Sequence, residues 1–153
     1  MVLLISDLHI PQKSFDLPQK FREYFHSGAI TRVICLGNVG DQKTVNYLRN
    51  ISKKFTMVRG DQDYVIIYIL LIYQIEDLSE QKVLNIKGFK IFVSHGHQFI
   101  PWDDLESLSS VQRVNDVDLV VTGHTHKQLF REKEGVYYIN PGSATGALDS
   151  YGK

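Results

Sequence analysis

The chain has 153 residues, 43% of them hydrophobic and 22% charged, and its 17 basic and 17 acidic side chains give a formal net charge of 0. This length and balance fit one globular domain with a real core, spanning 1–153, and exclude disorder, collagen-like repeats, a polybasic membrane arm and a basic nucleic-acid footprint. No stretch reaches the roughly 20 apolar residues of a bilayer span. The start, Met1 to Ile5, is too short for a signal peptide. The single cysteine, Cys35, excludes an internal disulfide and points to a reducing compartment.

Val2 to Ile5 reads as a buried strand that stops at Ser6-Asp7-Leu8-His9. Leu17, Phe21 and Phe25 have helical spacing behind Pro18, predicting a helix to about His26. Val33 to Leu36 is a second strand, broken by Gly37-Asn38. Val45, Leu48 and Ile51 mark a second helix. Phe55 to Val58 is a third strand, ending at Arg59-Gly60-Asp61. The alternation predicts βαβ units and a parallel sheet. Val83–Ile86 and Phe89–Val93 flank Lys87-Gly88 as a hairpin. Leu105, Leu108 and Val111 predict a helix. Val117–Val121 and Val136–Ile139 are further strands, the last followed by the turn Asn140-Pro141-Gly142-Ser143. The uncharged run Tyr64–Tyr73 stands apart. It reads as a core element, an anchor for a membrane or partner, or an artefact of the gene model.

Of six histidines, five follow strand-like runs: His9, His95 with His97, and His124 with His126. His26 stands alone near a helix end, where the dipole favours its charge. Functional groups of open α/β sheets collect at strand carboxyl ends. Five such ends carry Asp7-x-His9, Gly37-Asn38, Gly60-Asp61, His95-Gly96-His97 and Gly123-His124-Thr125-His126. Carboxylate, amide and imidazole together suit Mn, Fe or Zn, whereas Mg or Ca would favour oxygen alone. The bland alternative is a hydrogen-bonded network without an ion, which would leave buried imidazole atoms to satisfy.

The order of these motifs resembles the calcineurin-like metallophosphoesterase superfamily and, more closely, its vacuolar protein sorting 29 family of retromer subunits. The stretches that carry the likeness are Asp7-Leu8-His9-Ile10-Pro11, Val58-Arg59-Gly60-Asp61, His95 to Trp102, Val117-Asp118 with Gly123 to Lys127, and Ile139 to Ala147. The resemblance implies a four-layer αββα sandwich, with one partly parallel sheet and a second, mostly antiparallel one that is incomplete where the chain stops short of the family. It implies that Asp7, His9 and His126 hold one cation, Asp61, His95 and His124 another, and Asn38 bridges them. His97, Asp41 and Asp63 would support these ligands.

The sequence departs from the catalytic pattern at two positions. Asn38 stands where active relatives carry Asp; a neutral amide damps the repulsion between two cations about 3.5–4 Å apart less well, so at least one of the two divalent cations is expected to bind weakly. Gln62 stands where phosphatases place a histidine. An amide donates no proton near pH 7, and losing a positioned acid removes about 10²–10⁴ in rate. The implied function is therefore a non-catalytic retromer scaffold in endosome-to-Golgi protein transport, cytoplasmic and peripheral on endosomal membranes. Ile100-Pro101-Trp102 would dock the large solenoid subunit, vacuolar protein sorting 35; the bland reading of Trp102 is a core residue. The alternative is a low-activity Mn-dependent phosphodiesterase. Nucleic acid is not an expected partner, because the charge is balanced.

Overall fold

The computed structural model describes residues 1–64 and 78–148. Its elements are β1 (Val2–Ile5), α1 (Gln19–Phe25), β2 (Arg32–Cys35), α2 (Gln42–Ile51), β3 (Phe55–Met57), β4 (Gln81–Ile86), β5 (Phe89–Ser94), α3 (Leu105–Asn115), β6 (Leu119–Val121), β7 (Gln128–Lys133) and β8 (Val136–Pro141). The run Tyr64–Tyr73 lies outside the described residues after its first member. Among the described residues no helix is long and apolar enough to cross a membrane.

Two sheets form. The first has the order β1-β2-β3 and is parallel throughout, with Val2 beside Arg32 and Val33 beside Phe55. The second has the order β4-β5-β6-β8-β7; its two inner pairings are parallel and its two outer ones antiparallel. It is thus mixed rather than mostly antiparallel. Parallel neighbours need a crossover, and α3 supplies the one between β5 and β6.

Strand alternation sorts the apolar side chains into three cores. Val33 and Cys35 of β2 face outward onto Leu17 and Phe25 beside α1 and onto Val45 and Leu48 of α2. Ile34 and Leu36 face inward and meet Ile91, Val93 and Val121 of the second sheet. Phe92, Val120 and Tyr138 point the other way, onto Leu108 of α3. The layers therefore run helix, sheet, sheet, helix. Cys35 is a buried small hydrophobe, and burial pushes its thiol up to about 12. His26 is exposed at the end of α1.

β7 was not anticipated. Its pairing with β8 through a turn at Glu134-Gly135, both with positive φ, is the two-residue hairpin that a Gly-containing turn allows. The parallel strands β1, β2, β3, β5, β6 and β8 deliver their carboxyl ends to one pole, where the histidine loops gather.

Leu48 is fully buried in the outer core and Val114 is exposed. Leu48→Ala should lower unfolding free energy by about 2–5 kcal/mol in urea titrations, against within about 0.5 kcal/mol for Val114→Ala.

Candidate metal centre

Two groups of side chains converge at this pole. Ligand atoms of Asp7, His9 and His126 lie within 4.8 Å of one another, as do those of Asp61, His95 and His124. These are the two sets expected from the sequence. They come from six positions spread over most of the chain and meet because β1, β3, β5 and β6 end together.

Local structure aims each ligand. Asp7 is fully buried, and its Oδ2 accepts from the Ser6 hydroxyl (2.6 Å) and the His124 backbone N–H (2.9 Å). Its Oδ1 is left facing His126 Nε2 at 3.5 Å and His95 Nε2 at 3.7 Å. Asp61 Oδ1 lies 3.0 Å from His95 Nε2 and 3.5 Å from His124 Nδ1. His95 and His126 each place Nδ1 2.7 Å from a backbone carbonyl, of Leu36 and Ala147. Donation from Nδ1 leaves Nε2 free as a ligand, the usual arrangement around a metal-binding imidazole. His9 and His126 approach with Nε2 atoms 3.2 Å apart.

Asn38 sits between the sets. Its Nδ2 donates to Asp61 Oδ1 (3.0 Å), with Asp7 Oδ1 at 3.5 Å and His95 Nε2 at 3.0 Å. Its Oδ1 accepts from the Gln62 backbone N–H (2.9 Å). That bond sets the amide orientation, because the flipped amide would oppose two donors and aim oxygen at two carboxylates. As placed, the NH2 group faces the two carboxylates, and a flip of the amide would turn its Oδ1 to the bridging position that the resemblance implies. Gly60 permits this approach, since a Cβ there would lie 2.1 Å from Asn38 Oδ1.

Electrostatics follow from burial and the imidazoles. Burial would raise both carboxyls, but His9, His95 and the Ser6 hydroxyl outweigh it at Asp7, and His124, His95 and Asn38 at Asp61; both are held below the ordinary carboxylate range. His95 moves the opposite way: burial opposes its charge, yet Asp61 and Asp7 hold it above its ordinary value. Burial and then His95 hold His97 below its ordinary value. Asp7, His9, Asn38, His124 and His126 all have positive φ. For residues with side chains each such conformation costs on the order of 1–3 kcal/mol and clusters at functional sites. The donor set, the tautomers and this strain fit divalent cations of intermediate softness.

The supporting residues divide. Asp63 is buried and accepts backbone N–H bonds from Asn38, Val39 and Gly60 at 2.7–3.0 Å, pinning the bridge loop. The ring of His97 lies 5.5 Å from that of His95 and 6.0 Å from that of His124. Asp41 goes elsewhere: it is the N-cap of α2 and accepts from the Thr44 N–H (2.8 Å). It supports a helix start rather than a ligand, because its carboxylate finds an unpaired backbone donor nearby.

Trp102 is not in the core. It is 37% exposed and Ile100 74%, with Pro101 exposed beside them. The Trp102 ring meets the His124 ring edge-on at 4.5 Å, and its Nε1 donates to the His97 carbonyl (3.2 Å). Sequence reasoning missed what holds this rim. The Asp103 carboxylate accepts from Thr125 Oγ1 (2.5 Å) and Asn140 Nδ2 (3.3 Å), tying the Trp102 loop to the Gly123–His126 loop. Ser143 and Thr145 donate to the carbonyls of Asp7 and Leu8 at 2.7 and 2.9 Å. The small polar residues after Pro141 were the only signal.

The calcineurin-like phosphoesterase superfamily domain matches residues 1–152. Vacuolar protein sorting-associated protein 29 of Schizosaccharomyces pombe is 35% identical over 147 residues, covering 96% of this chain and 73% of the relative. The structure of vacuolar protein sorting 29 from Cryptosporidium parvum is similar with a TM-score of 0.87 and 42% identity, over 97% of this chain and 77% of that one. Wild-type vacuolar protein sorting 29 from Entamoeba histolytica, complexed with Zn²⁺, matches with a TM-score of 0.84 and 42% identity over the same shares, 97% and 77%.

Two outcomes are expected. Asn38→Asp should raise bound zinc from one ion toward two per chain, read by elemental analysis after dialysis; an unchanged stoichiometry would count against the amide as the obstacle. A metal at Asp61, His95 and His124 competes with protonation of His95, which Asp61 and Asp7 favour. Zinc affinity should therefore climb by about tenfold per pH unit until His95 is neutral and then level off. A flat calorimetric profile would contradict this.

Proposed function

The chain belongs to the calcineurin-like phosphoesterase superfamily and, within it, to the vacuolar protein sorting 29 family, and on that premise we propose that it is a non-catalytic scaffold subunit of retromer in endosome-to-Golgi protein transport. The observation that carries this reading is the exposed Ile100-Pro101-Trp102 rim, built directly on ligand His124. An anchored aromatic beside exposed aliphatic groups is what interface hot spots use. Because Asp103 ties this rim to the histidine loop, little ordering entropy remains to be lost on docking.

The chemistry on the other side of the pocket supports a scaffold. Gln62 is exposed, its backbone holds Asn38, and its side chain supplies no proton at neutral pH. On this reading the two sets take divalent cations, Mn, Zn or Fe, with at least one weakly held. The partner is the large solenoid subunit, vacuolar protein sorting 35, gripped by the metal-side face. The protein works in the cytoplasm, peripheral on endosomal membranes through its partners. Co-purification with that subunit should fall at least about tenfold for Ile100→Asp and Trp102→Ala. Retained binding in both variants removes the proposed face.

One observation favours a second reading, a low-activity Mn-dependent phosphodiesterase: both ligand sets are whole. A bound divalent ion would lower the pKa of its water toward neutrality and polarise a phosphoryl oxygen. His97, its charged form disfavoured by burial and by His95, is better suited to accept a hydrogen bond from substrate than to protonate a leaving group. Gln62→His should restore the missing donor and raise cleavage of bis(p-nitrophenyl) phosphate by about 10²-fold or more. If both proteins stay inert while metal-loaded, the enzyme reading fails.

A further inference from the structure

A second recess opens at the opposite pole, where the parallel strands begin. It holds about 400 Å³ and is lined by Val2, Thr31, Arg32, Lys54, Asn85, Ile86 and Lys87, with Met1. Val2 and Ile86 belong to facing sheets: Val2 starts β1, next to Arg32 of β2, and Ile86 ends β4. Strand alternation puts Val2 on the same face as Leu4, and Leu4 and Ile86 pack in the core between the sheets. The recess is therefore the open mouth of that core. Val2 is 40% exposed there.

The charged side chains of the rim, among the described residues, are all cationic. Arg32 enters β2, Lys54 immediately precedes β3, and Lys87 is in the β4–β5 turn. Among the described residues no acidic side chain lines the recess. Among the described residues none of these three cations is in an ion pair, whereas Lys90 on the adjoining strand is spent on Asp116 at 2.8 Å. In a chain of formal net charge 0, three unpaired cations around one hollow are a local excess.

We infer that this recess binds an acidic peptide segment of a partner protein, with one apolar side chain inserted between the sheets and flanking carboxylates on Arg32, Lys54 and Lys87. The apolar floor accepts an aliphatic group and extends the inter-sheet core, which desolvates Val2 and Ile86. The cations supply steering and register, and the Arg32 fork can take a carboxylate bidentately. A lipid surface fits less well. Polybasic membrane patches use about four to eight clustered cations, and here three surround a hollow rather than a projecting face. The site lies at the amino ends of the strands and the metal centre at their carboxyl ends. A peptide here would leave the Trp102 rim free, so the inference stands apart from the retromer reading.

The test is fluorescence anisotropy with fluorescein-labelled Gly-Asp-Glu-Leu-Asp-Glu and the same peptide carrying glycine for leucine. Saturable binding is expected at low ionic strength, weakening toward about 0.15 M, where charges screen within about 8 Å. The variant Lys54→Glu/Lys87→Glu should lose at least about tenfold in affinity, because like charges then face the peptide. The glycine peptide should bind several-fold more weakly. Val114→Ala, at an exposed position outside both sites, should leave the peptide affinity unchanged. Thermal melting by circular dichroism checks the variant's fold, and Lys54→Glu alone, at an exposed position, serves if the pair fails to fold. Absence of saturable binding overturns the inference, as does equal binding by the charge-reversed protein. Capture on phosphatidylcholine vesicles containing phosphatidylinositol phosphate, without peptide binding, also overturns it and assigns the cations to a headgroup.

Discussion

Two carboxylates aimed at one small polar pocket are the constraint on which this structure turns. Asp7 is fully buried and Asp61 partly so, and among the described residues neither has a lysine or arginine partner. Buried like charges are costly unless compensated. The compensation is distributed. Ser6 and the His124 N–H take one oxygen of Asp7, the Asn38 amide lies between the two carboxylates, and both carboxylates favour a proton on His95. A cation at either set would do the same work as that proton. The left-handed backbone at Asp7, His9, Asn38, His124 and His126 is the cost of aiming so many polar groups inward.

The ligands and the exposed rim form one mechanical unit. Trp102 leans on His124 and bonds to the His97 carbonyl, while Asp103 bonds to Thr125 between the two histidines of the next loop. An apolar ridge standing on hydrogen-bonded loops is rigid before any partner arrives. A ligand cluster is thus useful without turnover, as the foundation of a surface. Its exposed neighbour Gln62 contributes a backbone N–H to the bridge and no acid to the pocket.

Much of this was legible in the chain. Apolar runs marked β1, β2, β3 and β5, and the ligand residues at their ends were readable because parallel strands bury both faces and then break abruptly at polar groups. β7 was not legible: its residues alternate poorly, and pairing with β8 makes it a strand. Asp41 was expected to support the ligands, but the Thr44 N–H three residues on made it a helix cap, a local competitor that motif matching ignores. For Trp102 a core position and an exposed one were equally compatible with the local pattern.

By itself the sequence determined the chemistry on offer: imidazoles and carboxylates after strands, an amide at the bridge, no proton donor at Gln62 and no excess charge. These are properties of side chains and need no coordinates. Tertiary structure alone decided which of them meet. His9 and His126 are 117 positions apart in the chain and 3.2 Å apart in space. Only the folded chain orients the Asn38 amide, lifts Trp102 to the surface and leaves Arg32, Lys54 and Lys87 around an open recess. The physical reason is that proximity and desolvation across the two sheets are set by packing of the whole core, which no local stretch contains.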